Sequence, residues 1–286
     1  MPVPPSSGDP SGNRVVVFPF DSFGSPGTSD GARLLGDSIR EMLADFRRET
    51  VPTRSLAWCP TTRVTEVGFD APGELSRWRT RGRKLAERAF ERGEHLVWLS
   101  GNHLGSLPVL EAVAADPRAG VVHLDAHIDI HRFHDSVSDL SHGNFLRHIN
   151  WDGPPRLIHL GNRDLLQPEI DKNRFLTAEI SAEAWCGDEA ATLRQVATIT
   201  RGWDRVLIDL DVDLFDPGWM PGMARPVPFG VTGWQVWRLL RSLPPEKVVG
   251  IALSEYSPAQ DRDDRGLESL AWLLERWLLH RGESAE

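Results

Sequence analysis

Cysteine is the first shortage. Only Cys59 and Cys186 occur in 286 residues. That is too few for a disulfide framework or a zinc ribbon, and it fits a reducing compartment, so a cytoplasmic location is expected. Basic charge is short as well: 32 Lys and Arg stand against 41 Asp and Glu, a net -9. A general nucleic-acid face is therefore not expected, whereas an acidic pocket would attract a cationic substrate. No apolar run approaches the length of a membrane span, so no membrane partner is expected either. Tyrosine occurs once against 11 tryptophans, and tryptophans scattered in this way point to packing. There is no internal repeat and no interdomain linker.

What is present is an alternation. Short β-branched runs at 15–20, 95–100, 121–127, 156–162, 205–213 and 248–256 read as strands, with a weaker one at 174–180. Apolar residues at three- and four-residue steps lie between them. Leu35, Ile39, Met42, Leu43 and Phe46 form one helical stripe, and Leu267, Leu270, Leu274, Trp277 and Leu278 form the last. Further helices are expected at 74–92, 105–115, 188–201 and 232–242. The pattern predicts a single three-layer α/β/α domain over 14–282 with a mostly parallel sheet. The Pro/Ser/Gly-rich stretch 1–13 lacks the regions of a signal peptide and reads as a flexible N-terminal tail.

Two stretches break the apolar logic of buried strands. "VVHLDAHIDIH" (121–131) carries Asp125, His127 and Asp129 at alternate positions, and "VLIDLDVDLFDP" (206–217) carries Asp209, Asp211 and Asp213. Alternate residues of a persisting strand share one face. In a parallel sheet, ligands bind beyond the carboxyl ends of strands, and there these residues would join His103 and Glu255. Buried carboxylates need compensating cations. Arginine partners would explain a lone aspartate, but no comparable arginine cluster ends these strands. Divalent ions are the economical counter-charge, and a pair accounts for the number of ligands better than one. Carboxylates with imidazoles and no thiolate suit Mn²⁺, with Zn²⁺, Fe²⁺, Co²⁺ or Ni²⁺ as alternatives.

The motifs "SGNH" (100–103), "DAHID" (125–129), "SHGN" (141–144), "DLDVDLFDP" (209–217) and "SEYSP" (254–258) make the chain resemble the arginase–agmatinase (ureohydrolase) family, through most of its length. "SGNH" departs from the usual Gly-Gly-Asp-His but keeps the histidine. The resemblance implies an arginase-like fold and a pair of Mn²⁺ ions per chain. Asp125 and Asp211 would bridge the ions, His103 and Asp129 would complete one shell, and His127 and Asp213 the other. The implied catalytic set is His142, Glu255 and Asp129. Glu255 would hold a guanidinium through its fork, and His142 would transfer a proton, as histidine side chains do near neutral pH. Asp209 stands where arginases carry a small residue and is left out of the ligand set; Asp216 is assigned to capping a turn. His95, His148, His159 and His280 are assigned to packing or surface, and His123 to the core.

The implied reaction is hydrolysis of a guanidino group to an amine and urea. His131 and Leu166 stand where arginases that take free arginine carry polar contacts to its amino-acid end. His131 and His134 would instead line the pocket mouth and bind substrate. Arginine presented within a peptide, yielding ornithine, is the expected substrate. Agmatine or another small guanidino or formimidoyl compound is the alternative within the class. A catalytically idle metal-binding interaction protein is the alternative outside it. A homo-oligomer is possible.

Overall fold

The computed structural model of the chain describes residues 12–69, 72–131, 140–165 and 171–284. Eight strands form one sheet: β1 (Asn13–Phe18), β2 (Thr62–Glu66), β3 (His95–Ser100), β4 (Ala119–Leu124), β5 (Leu157–Asn162), β6 (Ala178–Ser181), β7 (Arg205–Asp211) and β8 (Val248–Ser254). Their order is β2-β1-β3-β8-β7-β4-β5-β6. All pairings are parallel, so the sheet expected to be mostly parallel is wholly so. The α-helices among the described residues are α1 (Thr28–Phe46), α2 (Pro72–Leu75), α3 (Trp78–Glu91), α4 (Leu107–Ala114), α5 (Ala182–Gly187), α6 (Glu189–Thr200), α7 (Gly233–Ser242) and α8 (Arg265–Ser284).

Side-chain alternation along the strands builds the three layers. Val97 and Leu99 of β3, Val122 and Leu124 of β4, and Ile208 and Leu210 of β7 enter one core with Leu35 and Ile39 of α1 and Leu270 and Leu274 of α8. Leu96, Trp98, Val121 and Leu207 enter the other, against Ala86 and Ala89 of α3 and Leu110 of α4. Strands buried on both faces read as continuous apolar runs, which is why they are legible in the sequence. No helix among the described residues is long and apolar enough to cross a membrane.

Several expectations are corrected. The edge strand β2, "TRVTE", carries little apolar signal because its side chains are largely exposed, and the sequence reading missed it. The helix expected at 74–92 is divided into α2 and α3, and the weak strand at 174–180 is confined to β6. β4 ends at Leu124 and β7 at Asp211, short of the expected 127 and 213. The reason is local: Asp125 Oδ1 accepts the His127 N–H and Asp211 Oδ1 accepts the Asp213 N–H, each at 2.7 Å. These aspartate turns take the backbone out of the ladder, so Asp125, His127 and Asp129 converge through a loop and not by strand parity. β1 begins at Asn13, inside the expected tail; residues 1–11 of that tail lie outside the described residues.

Register sets the site. Leu124 of β4 pairs with Leu210 of β7, Leu210 with Leu253 of β8, and Leu253 with Leu99 of β3. The exits of these four adjacent strands are therefore level.

Candidate metal centre

His103 leaves β3 at the start of a short 3-10 turn. Its Nε2 lies 3.1 Å from Asp209 Oδ2, which fixes one ring nitrogen as the donor. That leaves Nδ1 facing carboxylate oxygens of Asp211 at 2.9 Å and of Asp125 and Asp129 at 3.1 Å each. Nδ1 makes a hydrogen bond with none of them, and Asp125 Oδ2 is likewise buried without a hydrogen-bond partner. A ring nitrogen among three carboxylates is repulsive unless a proton or a metal cation lies between them, and the donor set of one imidazole and three carboxylates fits a metal ion. A second, looser convergence follows: His127 Nδ1 lies 3.5 Å from Asp125 Oδ1 and 3.6 Å from Asp213 Oδ2. Asp213 Oδ1 also has no partner. Asp125 belongs to both groups.

The electrostatics run in the same direction. Burial and the field of Asp125 push Asp211 up to about 7. Burial and Asp211 push Asp213 well above the ordinary carboxylate range. Burial would depress the histidines, but the carboxylates outweigh it, lifting His127 to about 10 and His103 well above its usual value. All these directions describe a cluster that draws in positive charge. The bland alternative, arginine ion pairs, fails: among the described residues no lysine or arginine pairs with Asp125, Asp129, Asp209, Asp211 or Asp213. Arg163, the nearest buried candidate, donates to the carbonyls of Asp213, Leu214 and Phe215.

Glu255 follows β8 with φ 65, and Asp129 has φ 47, left-handed backbone that non-glycine residues adopt only under constraint. Glu255 Oε1 accepts the His103 N–H at 2.8 Å and lies 3.3 Å from His142 Nδ1. Its Oε2 is buried with no hydrogen-bond partner. His142 sits close under Gly24, where a Cβ would come within 3.0 Å of the ring and 2.4 Å of the Asn102 amide. Glu255 and His142 line one cavity of about 320 Å³ with His103, His127, Asp129, Asp211 and Asp213.

His131 lines that cavity, with Nε2 3.1 Å from Asp164 Oδ2. His134 and Leu166 lie outside the described residues. Asp216 caps its turn, accepting the N–H groups of Gly218 and Gly230. His123, assigned to the core, is fully buried but belongs to the site's support: its Nδ1 lies 2.8 Å from Asp209 Oδ2 and its ring stacks on His103 at 5.0 Å. It also comes within 4.8 Å of His103, Asp125 and Asp129 as a further possible ligand. Asp164 and Arg225 line the cavity and were not singled out from the sequence. Asp164 stands two residues before Leu166, which alone drew notice in that loop, and Arg225 lies in a stretch with no pattern.

Comparison with known proteins agrees with this geometry. The sequence profile of the arginase family matches residues 13–279, and the chain belongs to that family. An agmatinase from Proteus mirabilis is 29% identical over 185 residues, covering 62% of this chain and 57% of the relative. One from Edwardsiella ictaluri is 30% identical over 183 residues, covering 63% and 58%. The match thus spans just over half the length of these curated relatives. Among solved structures, an arginase from Bacillus subtilis superposes with TM-score 0.78 at 18% identity, covering 93% of this chain and 98% of its own. An agmatine ureohydrolase of Thermoplasma volcanium gives 0.74 at 21%, covering 95% and 90%. At that identity the likeness speaks for the fold.

Proposed function

We propose that the chain is a binuclear metal hydrolase that converts a guanidino group to an amine and urea, with arginine inside a peptide as its substrate. The observation that carries the reading is the His103 Nδ1 set among three carboxylates, with His127 and Asp213 beside it. His103, Asp125, Asp129 and Asp211 would hold one ion, and His127, Asp125, Asp211 and Asp213 the other; manganese suits this oxygen-rich set. When bound, such a pair makes hydroxide available near neutral pH by lowering the pKa of water. The protein's own groups do the rest. Glu255 Oε2 accepts N–H groups of the guanidinium and fixes its plane against the cluster. As the carbon gains oxygen, its bond to the chain nitrogen breaks, and His142 delivers the proton that this nitrogen needs to leave as an amine. Asp129 holds its place at the reacting centre through the constrained turn of its backbone.

Two observations support the peptide. His131 and Asp164, on the cavity wall, are already engaged with each other, and Asp164 also accepts the Ile128 N–H at 3.0 Å. A free amino-acid end would meet a pair already committed. Beyond the same edge of the sheet stand large exposed apolar side chains, Phe23 at 65%, Leu165 at 97% and Phe229 at 87%. Residues flanking an arginine would cover part of that surface. Agmatine is the second reading, favoured by the names of the relatives.

The test is mass spectrometry of an arginine-containing peptide incubated with manganese-loaded protein, with urea measured alongside. The expected result is loss of the elements of cyanamide at arginine, leaving ornithine, while free arginine and agmatine turn over poorly. Efficient hydrolysis of agmatine with inert peptides would move the assignment to the second reading.

A further inference from the structure

The wall of the cavity carries one arginine or lysine among the described residues, Arg225; its other residues are acids, histidines and Gly143. Arg225 has no hydrogen-bond or ion-pair partner among the described residues, although five carboxylates line the same cavity. Its backbone is nonetheless anchored on both sides. Met223 forms a β-bridge with Tyr256, the residue after Glu255, and the Gly222 carbonyl accepts the Ser257 N–H at 2.7 Å. The Val227 carbonyl accepts from Arg163 at 2.8 and 3.2 Å.

A cation held at the wall of a pocket for a guanidinium repels its own substrate unless something else attracts it. With Asp129, Asp211 and Asp213 turned to the metals and Glu255 to the guanidinium, Asp164 is the remaining carboxylate of the wall, and it is engaged by the His131 ring and the Ile128 N–H. Arg225 is exposed at the same cavity and forms no ion pair with it.

We infer that Arg225 binds a carboxylate on the substrate, at the end remote from the guanidinium. The substrate is then a guanidino compound that also carries an acidic group, either its own carboxylate or that of an acidic residue beside arginine in a peptide. The inference rests on the hydrolase reading above and deepens it. Agmatine, with an ammonium at that end, is disfavoured by the same charge. A planar fork on a long stem suits bidentate capture of a carboxylate and explains an arginine at this position.

Two pairs matched in size and opposed in charge at the remote end test this on manganese-loaded protein. One is γ-guanidinobutyrate against agmatine; the other is an arginine peptide flanked by glutamate against the same peptide flanked by lysine. In at least one pair the acidic member should show a KM lower by about tenfold or more, the scale of a charge-assisted contact. Arg225→Ala should erase the difference and Arg225→Glu invert it, with KM moving more than kcat. Response of the first pair alone identifies a free guanidino acid, and of the second alone a peptide. Calorimetric titration of the same compounds reads the preference without turnover. An Arg225-dependent preference in binding with no urea from any compound would overturn the hydrolase reading and leave the carboxylate site standing. Equal affinities within both pairs, or a preference that both variants leave in place, would overturn the inference.

Discussion

Asp209 illustrates what a single residue does here. It shares the spacing of Asp211 and Asp213, yet its Oδ2 is the partner of His103 Nε2 and His123 Nδ1, so it orients these two rings from behind. Asp209→Asn should leave the fold intact and weaken metal binding about 10–100-fold, the usual effect of losing a carboxylate behind a metal-binding histidine. A chelator competition measures it. Asp211→Ala removes an oxygen near His103 Nδ1 and should lose metal and turnover together. Glu255→Gln should keep the metal and lose most turnover, and His142→Ala should keep it with a loss of about 10²–10⁴-fold; elemental analysis beside a rate assay separates these outcomes. At this scale the sequence was informative where one motif holds several polar residues. It was silent where the partner comes from another strand. Nothing near Asp209 in the chain announces His103, and nothing around Arg225 announces a pocket.

Among elements, the exits of the strands matter most, because their turns aim the carboxylates. Gly161, at the end of β5, has φ 103, and a Cβ there would lie 2.2 Å from Leu214 Cδ1 and 2.9 Å from the Asp125 carbonyl. Gly161→Ala should therefore lower the melting temperature, at a cost of about 1–3 kcal/mol, and reduce metal content by displacing Asp125. At the opposite end, His95 ties β3 to β8 and α8: its Nε2 accepts the Trp277 indole N–H at 3.0 Å and its Nδ1 lies 3.1 Å from the Val248 carbonyl. Burial, and then Arg281, hold its pKa well below the usual histidine value. The folded state thus keeps His95 neutral while the unfolded chain binds a proton below about pH 6.5. Its contribution is whole above that pH and falls as pH drops, by up to about 1.4 kcal/mol per pH unit. Thermal melts from pH 7.5 to 5 should show a shallower loss for His95→Gln than for the natural chain; parallel curves would contradict the assignment. Buried strands were legible as apolar runs, whereas β2 was not, because an exposed edge strand such as "TRVTE" needs no apolar alternation. Strand ends were overextended because the spacing of Asp125, His127 and Asp129 imitates strand parity while arising from an aspartate turn.

For the whole molecule, strand–helix alternation was enough to foresee three layers and the edge that carries the site. It could not give strand order. β8 lies between β3 and β7, and that placement, set by packing across the chain, brings Glu255 to His103. The same fold at 18% identity in the Bacillus subtilis arginase shows how much sequence can change while this arrangement persists. If this edge of the sheet holds metal in order to hydrolyse a guanidino group, the direct readout is urea. Metal-stripped protein is assayed with arginine peptides, arginine, γ-guanidinobutyrate and agmatine before and after manganese is restored. Urea should appear only with the metal and in step with the amine product. Full metal loading with no urea from any of these compounds would contradict it.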